Sequence, residues 1–245
     1  MKKLLVILFL TLTIIGCNNK GSNNETNLNY GNLIIENKDL ILNSKLFESY
    51  FSTQTVIKRN KLDYKSEENS TDLVSQTQLD NLLAISKIPE EYKKSLNLKQ
   101  VNDIANKVLD SQMNGSLISA IDKTSLSSET KRIIGEMLKN NVDKLENITA
   151  FKQLPQNEKE TLTVIYDLTK VYFASKSMQQ ASFFPNFRGL FAQNCTGSGP
   201  NGSGPIDCGV AGAILGISIG GSCCGIGGAI VGGLVGWIAG EIADK

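Results

Sequence analysis

Apolar residues are distributed unevenly along the chain, and three spacings follow one another. Residues Leu4 to Ile15 form an apolar run of twelve, bounded by Lys2-Lys3 before it and Gly16-Cys17 after it. From Thr77 to Phe173 the apolar positions recur at intervals of three and four, the period of amphipathic helices. From Gly209 to Gly240 thirty-two residues carry no charge at all, and glycine occupies 212, 216, 220, 228, 232, 236 and 240, with Cys224 standing in the one remaining fourth position. Polar stretches separate these regimes, so the pattern predicts a mostly α protein: a helical bundle followed by a glycine-rich hydrophobic helical hairpin.

The middle regime gives the clearest element boundaries. Thr77 with Asp80 suits a capping box, followed by Leu79, Leu82, Leu83 and Ser86 on one face. Pro89 opens a predicted helix through Leu96. Leu98, Val101, Ile104, Ala105, Val108 and Leu109 form the next stripe, which ends at Asn114-Gly115, and a short helix covers Leu117 to Ile121. Ser127 caps a helix whose buried stripe is Ile133, Ile134, Met137, Leu138, Val142 and Leu145. After Pro155, Asn157 with Glu160 begins a helix carrying Leu162, Ile165, Tyr166, Thr169, Tyr172 and Phe173. The short apolar groups from Leu33 to Ile57 leave helix and strand open, and Lys58 to Thr71 reads as a polar loop. No hairpin dipeptide or alternating strand pattern occurs between 77 and 180.

The C-terminal regime carries the most specific signal. A glycine at every fourth position lines one side of a helix with a groove of small residues, along which a second helix backbone can approach closely. In water such a segment is a poor helix, since each glycine costs on the order of 1 kcal/mol relative to alanine, and six fall between 227 and 240. A bilayer or a tightly packed partner offsets that cost by penalising open backbone hydrogen bonds. A single straight helix of this length would reach roughly 48 Å, against a hydrocarbon core of about 30 Å, so a break is expected at Gly220 to Gly225. Trp237 near the end, ahead of Glu241, Asp244 and Lys245, suits an interface anchor.

Composition then removes whole classes of function. The chain has no His, which excludes the usual histidine-dependent nucleophile systems and His-bearing zinc sites, and no catalytic residue stands out. Carboxylates such as Glu90-Glu91, Asp143 with Glu146, and Glu158 with Glu160 lie among Lys residues and read as solvated helix surface. A net charge of +1, without a basic cluster, argues against nucleic acid. Gly197, Gly199 and Gly202 formally fit a dinucleotide-binding pattern, but Pro200 and Pro205 interrupt it, and the stretch reads as a linker. Phe183, Phe184, Phe187 and Phe191 form an aromatic strip, which either folds back onto the bundle or makes an interfacial, membrane-contacting surface. No cofactor or metal is called for. Four cysteines, Cys195, Cys208, Cys223 and Cys224, lie in the last quarter of the chain. In an oxidising compartment they allow three pairings. A strained vicinal bond is disfavoured, so Cys223 and Cys224 are each expected to reach back to Cys195 or Cys208.

Two resemblances sharpen this reading. The N-terminal run is a secretory signal, too short to span a bilayer, and Ile14-Ile15-Gly16-Cys17 resembles the bacterial lipobox. That resemblance implies cleavage before Cys17 and its acylation, hence a lipoprotein anchored in the cell envelope, on the periplasmic or extracellular face. The ladder Gly212 to Gly240, ending Gly-Gly-Leu-Val-Gly-Trp-Ile-Ala-Gly-Glu-Ile, looks like the glycine-zipper hairpin of bacterial envelope lipoproteins. Behind its cysteine-bearing linker it also looks like the C-terminal peptide of bacteriocin precursors, including halocin-like ones.

The organisation expected from sequence is therefore a signal peptide at 1–16, a tether at 17–32, a helical domain at 33–182, an aromatic segment and Gly/Ser/Pro linker at 183–208, and the hairpin at 209–245. The partners it implies are membrane lipid, through the Cys17 acyl chains and the hairpin, and a second copy of the chain through the glycine groove. The function it points to is that of a membrane-active, bacteriocin-like toxin or precursor; the alternative is a structural envelope lipoprotein without toxic activity.

Overall fold

The computed structural model describes residues 29–42, 74–114, 117–181 and 208–244. The signal run, Cys17, the aromatic strip, the Gly/Ser/Pro linker and Cys195 lie outside the described residues. In chain order the helices are α1 (Tyr30–Leu42), α2 (Gln76–Ile85), α3 (Glu90–Lys93), α4 (Leu98–Asn114), α5 (Leu117–Asp122), α6 (Ser128–Leu138), a 3-10 turn (Leu145–Asn147), α7 (Thr149–Gln153), α8 (Gln156–Ala181) and α9 (Cys208–Asp244). Among the described residues there is no strand, and the protein is mostly α as its periodicity predicts.

Local chemistry explains where these helices begin and end. The cap of α2 is Ser75 rather than Thr77: Ser75 Oγ accepts from the Gln78 amide at 3.2 Å, and Gln78 Oε1 accepts from the Ser75 amide at 2.8 Å. Gln has the reach for this reciprocal pair, whereas Asp80 accepts from the Gln76 side chain at 2.7 Å instead. Asn97 and Gln100 make the same reciprocal arrangement at the start of α4, at 3.0 and 2.9 Å. Pro89 precedes the shorter α3, which stops at Lys93 rather than Leu96, where the chain turns to bury Leu96. Ser127 caps α6 as expected, accepting from the Thr130 amide at 3.2 Å. The helix stops at Leu138, short of the expected Val142 and Leu145, because Asn140 takes a left-handed φ of 56° and the amides of Asn140 and Asn141 donate back to Met137 and Glu136. This closes the last carbonyls of the helix.

The segment that left helix and strand open begins as a helix, α1. Its Gly31 lies directly against the α8 backbone at Asp167-Leu168, an approach that leaves no room for a side chain. The Tyr30 amide donates to Asp167 Oδ2 at 3.0 Å across the same contact. Burial pushes the Asp167 carboxyl above the usual aspartate range, partly offset by that donated bond. Two buried asparagines tie irregular segments down. Asn37 Oδ1 accepts from the Lys87 amide at 2.6 Å, and Asn102 pairs with both the amide and the carbonyl of Val74 at 2.8 and 2.9 Å.

One hydrophobic core runs through all of this. It joins Ile104 and Val108 of α4, Ile133, Ile134 and Met137 of α6, and Leu162, Ile165 and Leu168 of α8 to Ile214, Ile217, Ile230 and Leu234 of α9. The largest interfaces of α9 are with α4 and α8, and it also meets α1, α3 and α5. The segments 33–182 and 209–245, distinguished by composition, thus share their interior. Burying each such aliphatic side chain contributes about 1.5–3 kcal/mol, so the apolar hairpin is a principal source of the bundle's stability.

A buried carboxylate joins α6 to α8. Glu158 is only 8% exposed, not a solvated surface group as its Lys-rich surroundings suggest. It accepts from the Ser127 amide at 3.1 Å, the Ser127 hydroxyl at 2.5 Å and the Thr130 hydroxyl. Burial pushes its pKa up, but these bonds from Ser127 and Thr130 outweigh burial and hold it below the ordinary glutamate value. A lowered folded-state pKa means that this stabilisation is complete above the unfolded glutamate range and is lost as pH falls through the folded value. Glu158→Gln should lower the unfolding free energy at neutral pH by about 1.5–3 kcal/mol and flatten the acid limb of the stability curve. Urea titrations across pH test this, and an unchanged acid limb in the variant would contradict it.

Candidate functional site: the glycine hairpin

Helix α9 is two helical arms rather than one rod. Cys224 (φ −139°, ψ 19°) and Gly225 (φ 61°, ψ −151°) leave helical geometry, and Gly225 occupies a region that side-chain-bearing residues rarely adopt. The chain reverses there, within the expected break at 220–225. The 208–223 arm is about 24 Å long and the 226–244 arm about 28 Å at roughly 1.5 Å per residue. By length and composition Cys208–Glu241 is apolar enough to cross a membrane, yet most of it is buried inside the protein.

The glycine ladder is consumed within this hairpin. Gly212 faces Gly236, Gly216 faces Gly232 and Gly220 faces Gly228, each pair reciprocally, so that a Cβ on either member would land on the carbonyl oxygen of the other. Such an atom on Gly216 would also lie 2.8 Å from Gly232 C and 3.0 Å from Gly236 Cα. Gly240 closes the ladder against the Cys208 carbonyl. In each pair the Cα hydrogen that replaces a side chain points at a carbonyl oxygen of the opposite arm. Such contacts are individually worth perhaps 0.5–1 kcal/mol and repeat along the whole seam. In this fold, therefore, the partner of the groove is the other arm of the same chain.

A polar collar from the bundle holds the turn. Glu160 Oε2 accepts from the Ile226 amide at 3.0 Å, capping the start of the second arm. Gln100 Nε2 donates to Cys224 Sγ at 3.4 Å. Gly221 and Gly227 lie against Thr161 and Ser95, with no room for a Cβ at either contact. Sequence reasoning missed this collar, because Glu160 reads locally as a helix-start or surface residue and nothing in its own helix announces a turn arriving from residue 226. The one local signal was the break itself, which exposes amides that need an acceptor.

The base of the hairpin is organised around Trp237. Expected at an interface, it is 5% exposed, because the indole has a partner inside the fold. Its Nε1 donates to Glu241 Oε1 at 3.1 Å, its ring lies beside Gly209, and Lys38 Nζ stands 5.0 Å from the ring centroid. Of the cysteines, Cys208 is buried and disulfide-bonded. Cys223 and Cys224 remain thiols, with their Sγ atoms in contact. They do not reach back to Cys208, because the turn and the base lie at opposite ends of the arms. Among the described residues no group of three or more Cys, Asp or Glu side chains gathers to hold a metal ion.

The chain matches no protein-family model, no curated protein and no solved structure.

The ladder predicts opposite outcomes for two helical glycines. Gly135, in α6, has nothing within 4 Å of where a Cβ would sit, so Gly135→Ala should stabilise by about 0.5–1 kcal/mol. Gly216→Ala gains the same propensity but drives a methyl into the Gly232 carbonyl, and should destabilise by about 1–3 kcal/mol. Chemical denaturation of both variants checks this. Equal and favourable shifts would mean that the arms do not pack as closely as described.

Proposed function

We propose that the protein is a lipid-anchored envelope protein that stores a membrane-active glycine hairpin inside a helical bundle, as a bacteriocin-like toxin or toxin precursor. The observation that carries this reading is the pairing of two features in one element. The hairpin has the charge-free composition of a membrane segment from 209 to 240, and it is sheltered from water by amphipathic helices whose polar faces point outwards. A core of ordinary aliphatic composition would serve a soluble bundle with fewer glycines. Here the backbone hydrogen bonds of both arms are closed within the helices except at the turn, where the Ile226 amide donates to Glu160, and the seam between the arms needs no outside partner. The pair is therefore self-sufficient in hydrocarbon as well as in protein.

In this reading the bundle supplies the apolar contacts that lipid later replaces. The Cys17 anchor, by its resemblance to the lipobox, holds the molecule at a membrane surface, where such an exchange has a short path. The groove being filled within the chain also suits the quieter alternative, an envelope lipoprotein whose zipper is simply its core.

The test compares two histories of the full chain. Diluted from urea into lipid vesicles, before the bundle closes, it should insert and release an entrapped dye; folded first in buffer and then added, it should release far less. Insertion without dye release would overturn the toxin reading in favour of the structural one. Refolding in solution with no vesicle binding from either start would show the hairpin to be only a core.

A further inference from the structure

Two adjacent residues of a regular helix point their side chains about 100° apart, so neighbouring cysteines on a helix do not bring their sulfurs together. At the hairpin turn they do meet. Cys223 is the last helical residue of the first arm, and Cys224 departs to φ −139°, ψ 19°, with the two Sγ atoms brought into contact. Gly225, with its positive φ, follows directly and gives the backbone a residue that adjusts without side-chain strain. Cys223 is exposed and Cys224 half-buried, so the pair opens to solvent on the Cys223 side. Both thiols are engaged in holding the turn. The Cys223 thiol donates to the Gly220 carbonyl at 3.2 Å, and Cys224 Sγ accepts from Gln100 Nε2 at 3.4 Å.

We propose that Cys223-Cys224 is a redox modification site, a vicinal dithiol that small-molecule disulfides convert reversibly to a vicinal disulfide at the tip of the hairpin. In the first step the more exposed Cys223 thiolate attacks one sulfur of the small disulfide. A mixed disulfide forms and one small thiol leaves with a proton. In the second step the Cys224 thiolate attacks the Cys223 sulfur and displaces the second small thiol, which takes up the remaining proton. Two protein thiols are oxidised to one disulfide, and one small disulfide is reduced to two thiols. A ring closed between adjacent residues is strained, and strained, exposed disulfides are the readily reduced ones, so the bond suits a switch rather than a staple. Closing it removes the thiol donor from Gly220 and draws the Cys224 sulfur into a new bond, which alters the collar at the turn. The buried Cys208 disulfide at the other end of the arms plays the permanent part.

The inference rests on the geometry of the turn and not on membrane activity, so either can fail without the other. The experiment treats the folded full chain, its Cys208 disulfide intact, with oxidised glutathione, and follows it by intact mass and by peptide mapping without reduction. The expected product has lost two hydrogens and carries a 223–224 bond; excess reduced glutathione reopens it while the Cys208 bond survives. Cys224→Ser should stop at a single glutathione on Cys223, with helicity by circular dichroism unchanged. Wild-type protein that ends with glutathione on both cysteines, exchanges either thiol into the Cys208 disulfide, cross-links between copies or fails to react would overturn the proposal.

Discussion

The close approach of two helix backbones along the 212–240 ladder is the constraint from which the rest of this structure follows. Three reciprocal glycine pairs bring Cα hydrogens of one arm onto carbonyl oxygens of the other, a distance that even an alanine methyl forbids. Glycine makes each arm a weak helix in isolation, by about 1 kcal/mol per residue. The seam and the aliphatic residues facing away from it recover that loss only when both faces are covered. Ile214, Ile217, Ile230 and Leu234 supply the outward faces, and α4 and α8 cover them. The hairpin therefore needs the bundle, and the bundle needs the hairpin as its interior.

Polar groups decide how that interior is held in place. Between 209 and 240 the arms carry no charge to position them, so register comes from their ends. Glu160 and Gln100 engage the turn, while Trp237 with Glu241 and the Cys208 disulfide organise the base. Glu158 and Asp167 perform the corresponding task between the surrounding helices, with opposite responses to acid. Glu158 is held below the ordinary carboxylate range by three donors, and its contribution weakens as pH falls. Asp167 is pushed up chiefly by burial, so the cost of its charge diminishes over the same fall. The two carboxylates therefore respond to acid in opposite senses.

Much of this was legible in the sequence where the information is local. The stripe from Leu98 to Leu109, the Ser127 cap and the stop at Asn114 follow from spacing and from side-chain chemistry within one helix. The break near Gly225 follows from length and from glycine content. What was not legible depends on contacts between distant segments. Glu158 and Glu160 flank Lys159 in a polar run, and only the arrival of Ser127 and Ile226 makes them buried or engaged. Trp237 carries the composition of an interface anchor, but Glu241 and Lys38 give it a place inside. Cysteine connectivity is illegible for the same reason: spacing leaves it open, whereas the antiparallel arms separate Cys208 from Cys223 and Cys224 by the length of the hairpin.

The central claim is that the glycine hairpin is the stable core of the folded protein and not an appendage to it. Native-state hydrogen exchange, read by mass spectrometry over residues 208–241 and compared with residues 161–169 of α8, addresses this most directly. The account predicts that amides of both arms exchange as slowly as those of α8, through global unfolding alone. Hairpin amides that exchange much faster than the α8 amides, in a protein whose bundle remains intact, would contradict it.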